Sequence, residues 1–104
     1  MKLEWKDFLS NAGAELSDIR VESFGNPDQE RQIVRTGDII CDLSHYGLIA
    51  AYGEDAETFL QGQFTNDISR IDLDHSQLSS YCTPKGRMLA NFRIFKRDKT
   101  WYLC

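Results

Sequence analysis

Apolar residues recur along this chain in two rhythms, and their alternation predicts a mixed order of helices and strands. Trp5, Phe8, Leu9, Ala12 and Leu16 fall at helical spacing, so the first segment reads as an amphipathic helix that Gly13 weakens slightly. Ile19, Val21 and Ser23 alternate with Arg20, Glu22 and Phe24, which predicts a short strand ending at Gly25-Asn26-Pro27. Asn26 can cap the helix that follows, Pro27 suits its first position, and Asp28 and Glu30 place negative charge near the positive end of its dipole. Gly37 ends it. Ile39 to Leu43 reads as an apolar strand, with Ser44-His45 leading into a second apolar run from Tyr46 to Tyr52.

Gly53 opens a short helix in which Ala56, Phe59 and Leu60 form the stripe expected to be buried, with Gly62 as its C-cap. Thr65 is placed to cap a second turn through Asn66 and Asp67, leaving Ile68 and Ile71 to point inward. Leu78 to Thr83 then alternates, Pro84-Lys85-Gly86 supplies a hairpin turn, and Met88, Ala90, Phe92 and Ile94 line one face of a long strand. Leu89, Asn91, Arg93 and Phe95 line the other, a mixed face suited to border a cavity or a second layer. Lys96 to Lys99 reads as a charged turn and Thr100 to Cys104 as the next strand. The expected class is α+β, an antiparallel meander with short helices.

With 104 residues, 41% of them hydrophobic, the chain suits one small domain with a modest core. The net charge of −4 argues against a preformed, sequence-independent grip on nucleic acid, although it is compatible with a local basic patch. No long apolar run suggests a membrane span or a signal peptide, so the cytoplasm is the expected location. Cys41, Cys82 and Cys104 have neither zinc-ligand nor disulfide-framework spacing, and buried thiols are the simplest expectation for them.

Familiar catalytic patterns are absent: no phosphate-binding glycine loop, no H-E-x-x-H, no G-x-S-x-G. His45 and His75 are too few for a histidine metal site and read as a strand-end and a loop residue. Cys82 precedes Lys85, which could activate a thiol, but its alternation with Leu78 and Ser80 favours a small core residue. Lys85 and Arg87 flank Gly86, and this pair either meets an anionic ligand tail or RNA phosphate or forms a solvated hairpin tip. The acidic groups Glu54, Asp55 and Glu57, or Asp67, Asp72 and Asp74, are explained more simply by dipole compensation and solvation than by acid–base work.

Two stretches carry more. Phe59-Leu60-Gln61-Gly62-Gln63-Phe64-Thr65-Asn66-Asp67-Ile68 closely resembles the F-L-Q-G-Q-x-T-N-D signature of YgfZ-type proteins, and Tyr81 to Arg93 resembles their second signature. Asp42-Leu43-Ser44-His45 is similar to the D-x-S-H element shared with the glycine-cleavage T-protein. The resemblance implies the N-terminal portion of a T-protein-like folate-binding fold, with tetrahydrofolate or a one-carbon derivative as the ligand. Members of that family are much longer, and their later K-G-C-Y-x-G-Q-E signature has no counterpart here, so residues 1–104 are expected to be a single, partial N-terminal domain.

By the same resemblance, Tyr46 falls where relatives place an aromatic against the folate. The true aminomethyltransferases carry an acidic pair where this chain has Ala90 and Asn91, and neither of these can act as a carboxylate base. No catalytic residue is therefore assigned, and Tyr46 and Asn91 are the cofactor-binding candidates. The resemblance implies a folate-binding accessory protein that helps maintain iron–sulfur enzymes, including tRNA-modifying ones, as partners. One alternative is a tetrahydrofolate-dependent aminomethyltransferase or other one-carbon enzyme. The other is a module contacting tRNA through Lys85, Arg87, Arg93, Lys96 and Arg97.

Overall fold

The computed structural model describes all 104 residues, which divide into two compact units, Met1–Tyr46 and Gly47–Cys104. The first unit contains α1 (Leu3–Asn11), β1 (Glu15–Leu16), β2 (Val21–Ser23) and α2 (Pro27–Thr36). Helix α1 is shorter than its apolar spacing predicts. Gly13 takes φ +94° just after it, a left-handed value open to glycine, and the chain reverses so that Leu16 joins β1. β1 and β2 pair antiparallel, tied by the buried Ser23 hydroxyl, which donates to Glu15 Oε2 (3.0 Å) and accepts from the Gly25 N–H (3.1 Å).

Helix α2 follows its sequence signals. The Asn26 side chain accepts from the Gln29 N–H (3.2 Å), Pro27 opens the helix and Gly37 closes it. The predicted strand over Ile39–Leu43 does not form. These residues take no regular structure and pair with no strand, and Ile40 is 99% exposed. An apolar run becomes a strand only where another strand takes its backbone groups.

The second unit is a four-stranded antiparallel sheet with a helical layer on one face. β3 (Ile49–Ala51), α3 (Ala56–Gln63), a 3₁₀ turn (Ile68–Arg70), β4 (Gln77–Cys82), β5 (Met88–Arg97) and β6 (Thr100–Leu103) follow in order, and the sheet runs β3-β6-β5-β4. Of the run from Tyr46 to Tyr52, only β3 is strand, paired with β6. The core joins Ala56 and Leu60 of α3, Ile68, Ile71, and the sheet residues Ile94, Trp101 and Leu103. Ile68 and Ile71 point inward as their spacing implied. The α+β class expected from the patterning is the one observed.

Several finer expectations are corrected. Phe59 is 62% exposed and not part of the buried stripe, because α3 turns Ala56 and Leu60 onto the sheet. Gly62 lies inside α3, and the helix ends at Gln63 with Phe64 as its C-cap. The strand β5 runs on through Arg97, so the tight turn is only Asp98-Lys99, with Asp98 at φ +53°. On β4 the face in the core carries Ser79, buried and opposite Phe92, while Leu78 is 65% exposed. Cys82 shares the Leu78 face and is only half-buried, because the helical layer covers the opposite side. The other thiols are not buried either: Cys104 is half-buried and Cys41 is exposed. No helix is long and apolar enough to cross a membrane.

Candidate functional site

The first signature builds a polar tie between α3 and the outer edge of β4. Gln61 Oε1 accepts from the Ile68 N–H (2.7 Å), which satisfies a donor at the most buried position of the turn. Asn66 is used from both ends of its side chain, with Nδ2 donating to the Leu78 carbonyl (3.1 Å) and Oδ1 accepting from the Asp67 N–H (2.9 Å). Its backbone N–H donates to Ser79 Oγ (3.1 Å). Thr65 does not cap a turn as expected. Its N–H donates to the Ser80 carbonyl (3.1 Å) and its hydroxyl accepts from the Ser80 N–H (3.2 Å), so it extends the sheet edge. The cap role falls to Asp67, which accepts from the Ser69 N–H (3.0 Å) and hydroxyl (2.6 Å); these bonds hold its carboxyl below the usual range. Phe64 closes the arrangement with edge-on contacts to Tyr81 and Phe92.

The second signature forms the β4–β5 hairpin. Gly86 at φ +81° permits the turn, the Gly86 N–H donates to the Thr83 carbonyl (2.9 Å), and the Arg87 N–H donates to Thr83 Oγ1 (3.2 Å). Lys85 and Arg87 are exposed at this tip. Further along β5, Ala90 stands opposite Tyr81 on the side facing the core, whereas Asn91 stands opposite Ser80 on the uncovered side and is exposed. Between α3 and the sheet lies an open groove of about 390 Å³, lined by Ile49, Ala51, Phe59, Phe64, Tyr81 and Phe92 among others and by no charged side chain.

The D-x-S-H element belongs to the other unit. Asp42 gathers three donors: the Ser44 hydroxyl (2.6 Å), the Ser44 N–H (3.4 Å) and the Trp5 indole N–H (2.9 Å). The Ser44 hydroxyl, and after it the Trp5 indole, holds the Asp42 carboxyl below its ordinary value. The Asp42–Trp5 bond spans 37 positions, and no sequence signal pointed from one residue to the other. Tyr46 is 58% exposed and sits against His45, with ring centroids 4.6 Å apart. Of the residues singled out from sequence, Asn91, Lys85 and Arg87 thus share one hairpin of the Gly47–Cys104 unit, and Tyr46 lies in the Met1–Tyr46 unit.

Comparison with known proteins agrees with these motifs. A tRNA-modifying protein YgfZ from Photorhabdus laumondii is 40% identical over 62 residues, which cover 60% of this chain and 19% of that protein. An aminomethyltransferase from Bacillus mycoides is 34% identical over 80 residues, 77% of this chain and 22% of its own length. A second tRNA-modifying protein YgfZ, from Enterobacter sp., is 35% identical over 76 residues, 70% of this chain and 23% of its own. The chain therefore spans about a fifth of the length of the curated relatives it matches. The family model for the GCVT N-terminal domain matches residues 7–104, and the chain belongs to that family.

Proposed function

We propose that residues 1–104 form part of a folate-binding site in an accessory protein of the YgfZ kind, without aminomethyl transfer of their own. The observation that carries this reading is the state of β5: Ala90 faces the core and Asn91 faces solvent, and no carboxylate lies anywhere between Ser76 and Arg97. A base that must take a proton from a folate nitrogen has no candidate on this hairpin.

On the β4–β5 hairpin the exposed side chains match the polar parts of a folate. The Asn91 carboxamide offers both donors and an acceptor to the edge of a pterin. Lys85 and Arg87 on the same hairpin offer cations to glutamate carboxylates. Taken by itself in the Met1–Tyr46 unit, the exposed Tyr46 ring offers an apolar face to a pterin or benzoyl ring. When bound, tetrahydrofolate or its one-carbon derivative supplies the nitrogen that carries the one-carbon unit; the residues of this chain bind and orient it. Maintenance of iron–sulfur enzymes, including those that modify tRNA, is the role the YgfZ resemblance supports, with cluster chemistry left to partners.

An aminomethyltransferase is the second reading, favoured by the longer match to the Bacillus mycoides protein of that name. Calorimetric titration with tetrahydrofolate separates the two. The proposed reading expects saturable binding that Asn91→Ala weakens about fivefold, the loss of one hydrogen bond worth about 1 kcal/mol. Absence of saturable heat at high micromolar ligand would remove the folate reading. Turnover of an aminomethyl donor that survives Asn91→Ala would remove the argument from the missing base.

A further inference from the structure

Charge is divided unevenly within the Gly47–Cys104 unit. Up to Asp74 its only cation is Arg70, among Glu54, Asp55, Glu57, Asp67, Asp72 and Asp74. From Ser76 onward the sign reverses: Lys85, Arg87, Arg93, Lys96, Arg97 and Lys99 are accompanied by one carboxylate, Asp98. The β4–β5–β6 meander is thus a cationic sheet inside a chain of net charge −4. A local field of one sign governs encounter with a charged ligand more than the net charge does.

Strand alternation then sorts the cations. Lys96 lies on the core side, its Nζ 4.4 Å from the centre of the Trp101 ring. Arg93 and Arg97 share the other face with Asn91 and Phe95, and both are exposed. Between the two arginines Phe95 pairs across the strands with Tyr102, the rings stacked with centroids 5.4 Å apart and planes within 19°. The helical layer of this unit packs on the opposite side, so this face has no cover within the unit.

Arginine, aromatic and arginine at alternate positions of an open antiparallel strand supply what a single nucleic-acid strand requires, with guanidinium forks for phosphates and ring surfaces for bases. A purely acidic protein partner would use the cations and leave the stacked rings without a role. We propose that this face binds single-stranded nucleic acid, with Arg93 and Arg97 on phosphates and the Phe95–Tyr102 pair as the stacking platform. Lys85 and Arg87 before β5 and Lys99 after it extend the positive track at both ends of the strand. This inference does not rest on folate binding.

The test is fluorescence anisotropy of a labelled single-stranded RNA of about 12 nucleotides titrated with the full chain at several salt concentrations. Saturable binding that weakens steeply with salt is expected. The double substitution Arg93→Gln, Arg97→Gln should lower affinity at least tenfold and flatten the logarithmic salt slope by about 1.4, two phosphates at about 0.7 each. Tyr102→Leu should cost about fivefold or more with the slope unchanged, and Arg70→Gln should stay within twofold.

Circular dichroism checks each variant's fold, and ring-proton shifts of Phe95 and Tyr102 in the unmodified protein report stacking without any substitution. The proposal is overturned by absence of binding at low salt, by a double-glutamine variant that binds like the parent, or by unmoved ring resonances. Equal competition by heparin together with an inert Tyr102→Leu would likewise reduce the face to a general polyanion attractor.

Discussion

Each of the two units of this chain has its own source of internal cohesion, and the two sources differ. In Gly47–Cys104, a contiguous core of Ala56, Leu60, Ile68, Ile71, Ile94, Trp101 and Leu103 joins α3 to the two strands β5 and β6. In Met1–Tyr46, Leu9 is the one apolar side chain that is fully buried, and Phe8, Val34, Ile39 and Ile40 stay exposed. Directional polar contacts supply the order there: the Asn26 cap, the Ser23–Glu15 bond, the Phe24 N–H donating to Glu30 and the Trp5 indole donating to Asp42. Apolar burial is collective, so loss of one core side chain is felt by every neighbour, whereas each polar tie contributes about 1 kcal/mol and fails alone.

The sharpest test of that contrast is truncation of a buried side chain in each unit. Ile94→Ala removes a residue with no exposed surface and should cost about 3–5 kcal/mol in urea denaturation, enough to unfold much of its unit. Leu9→Ala, in a unit with no second fully buried apolar side chain, should cost about 2 kcal/mol or less. Equal costs would erase the distinction between a cored unit and a polar-tied one.

A smaller effect is expected where a polar tie serves the cored unit. Asn66→Ala removes the bonds to the Leu78 carbonyl and the Asp67 N–H at an exposed site and should cost about 1 kcal/mol, with faster hydrogen exchange along β4. An unchanged exchange rate at β4 would show that the signature residues are dispensable to the scaffold.

The smallest effect is electrostatic. Because the folded Asp42 carboxyl titrates below its unfolded value, the stability it contributes is present above the ordinary carboxylate range and lost as pH falls through its lowered value. The Trp5 indole N–H resonance should therefore hold steady through mildly acidic pH and shift only in that lower window. A shift centred on the ordinary carboxylate value would mean that the Asp42 cluster is not formed in solution.

Local signals were legible wherever one residue's chemistry decides the backbone. Asn26-Pro27 opening a helix, Gly37 closing it, and the turn at Gly86 all depend on caps, fixed φ or positive φ, and all are observed. The family was legible because its signatures consist of such residues, namely Gln61, Thr65, Asn66 and Asp67, whose side chains each make a specific bond. Asn91 stood out in the sequence as a departure from the acidic pair, and the structure shows it exposed on β5. The Trp5–Asp42 pairing and the Phe95–Tyr102 platform were not, because each depends on which distant segment lies alongside.

The sequence by itself determined the class of the fold, the order of most elements, the positions of the caps and the hairpin, and the family. Only the tertiary structure decided that Ser79 and not Cys82 faces the core, that Phe59 is exposed, that Ile39–Leu43 finds no strand partner, and that Lys96 parts from Arg93 and Arg97. Caps and turns are settled by bonds within a few residues. Alternation along a strand defines two faces without saying which one a helix will cover, and that choice belongs to the packing of α3 on the sheet.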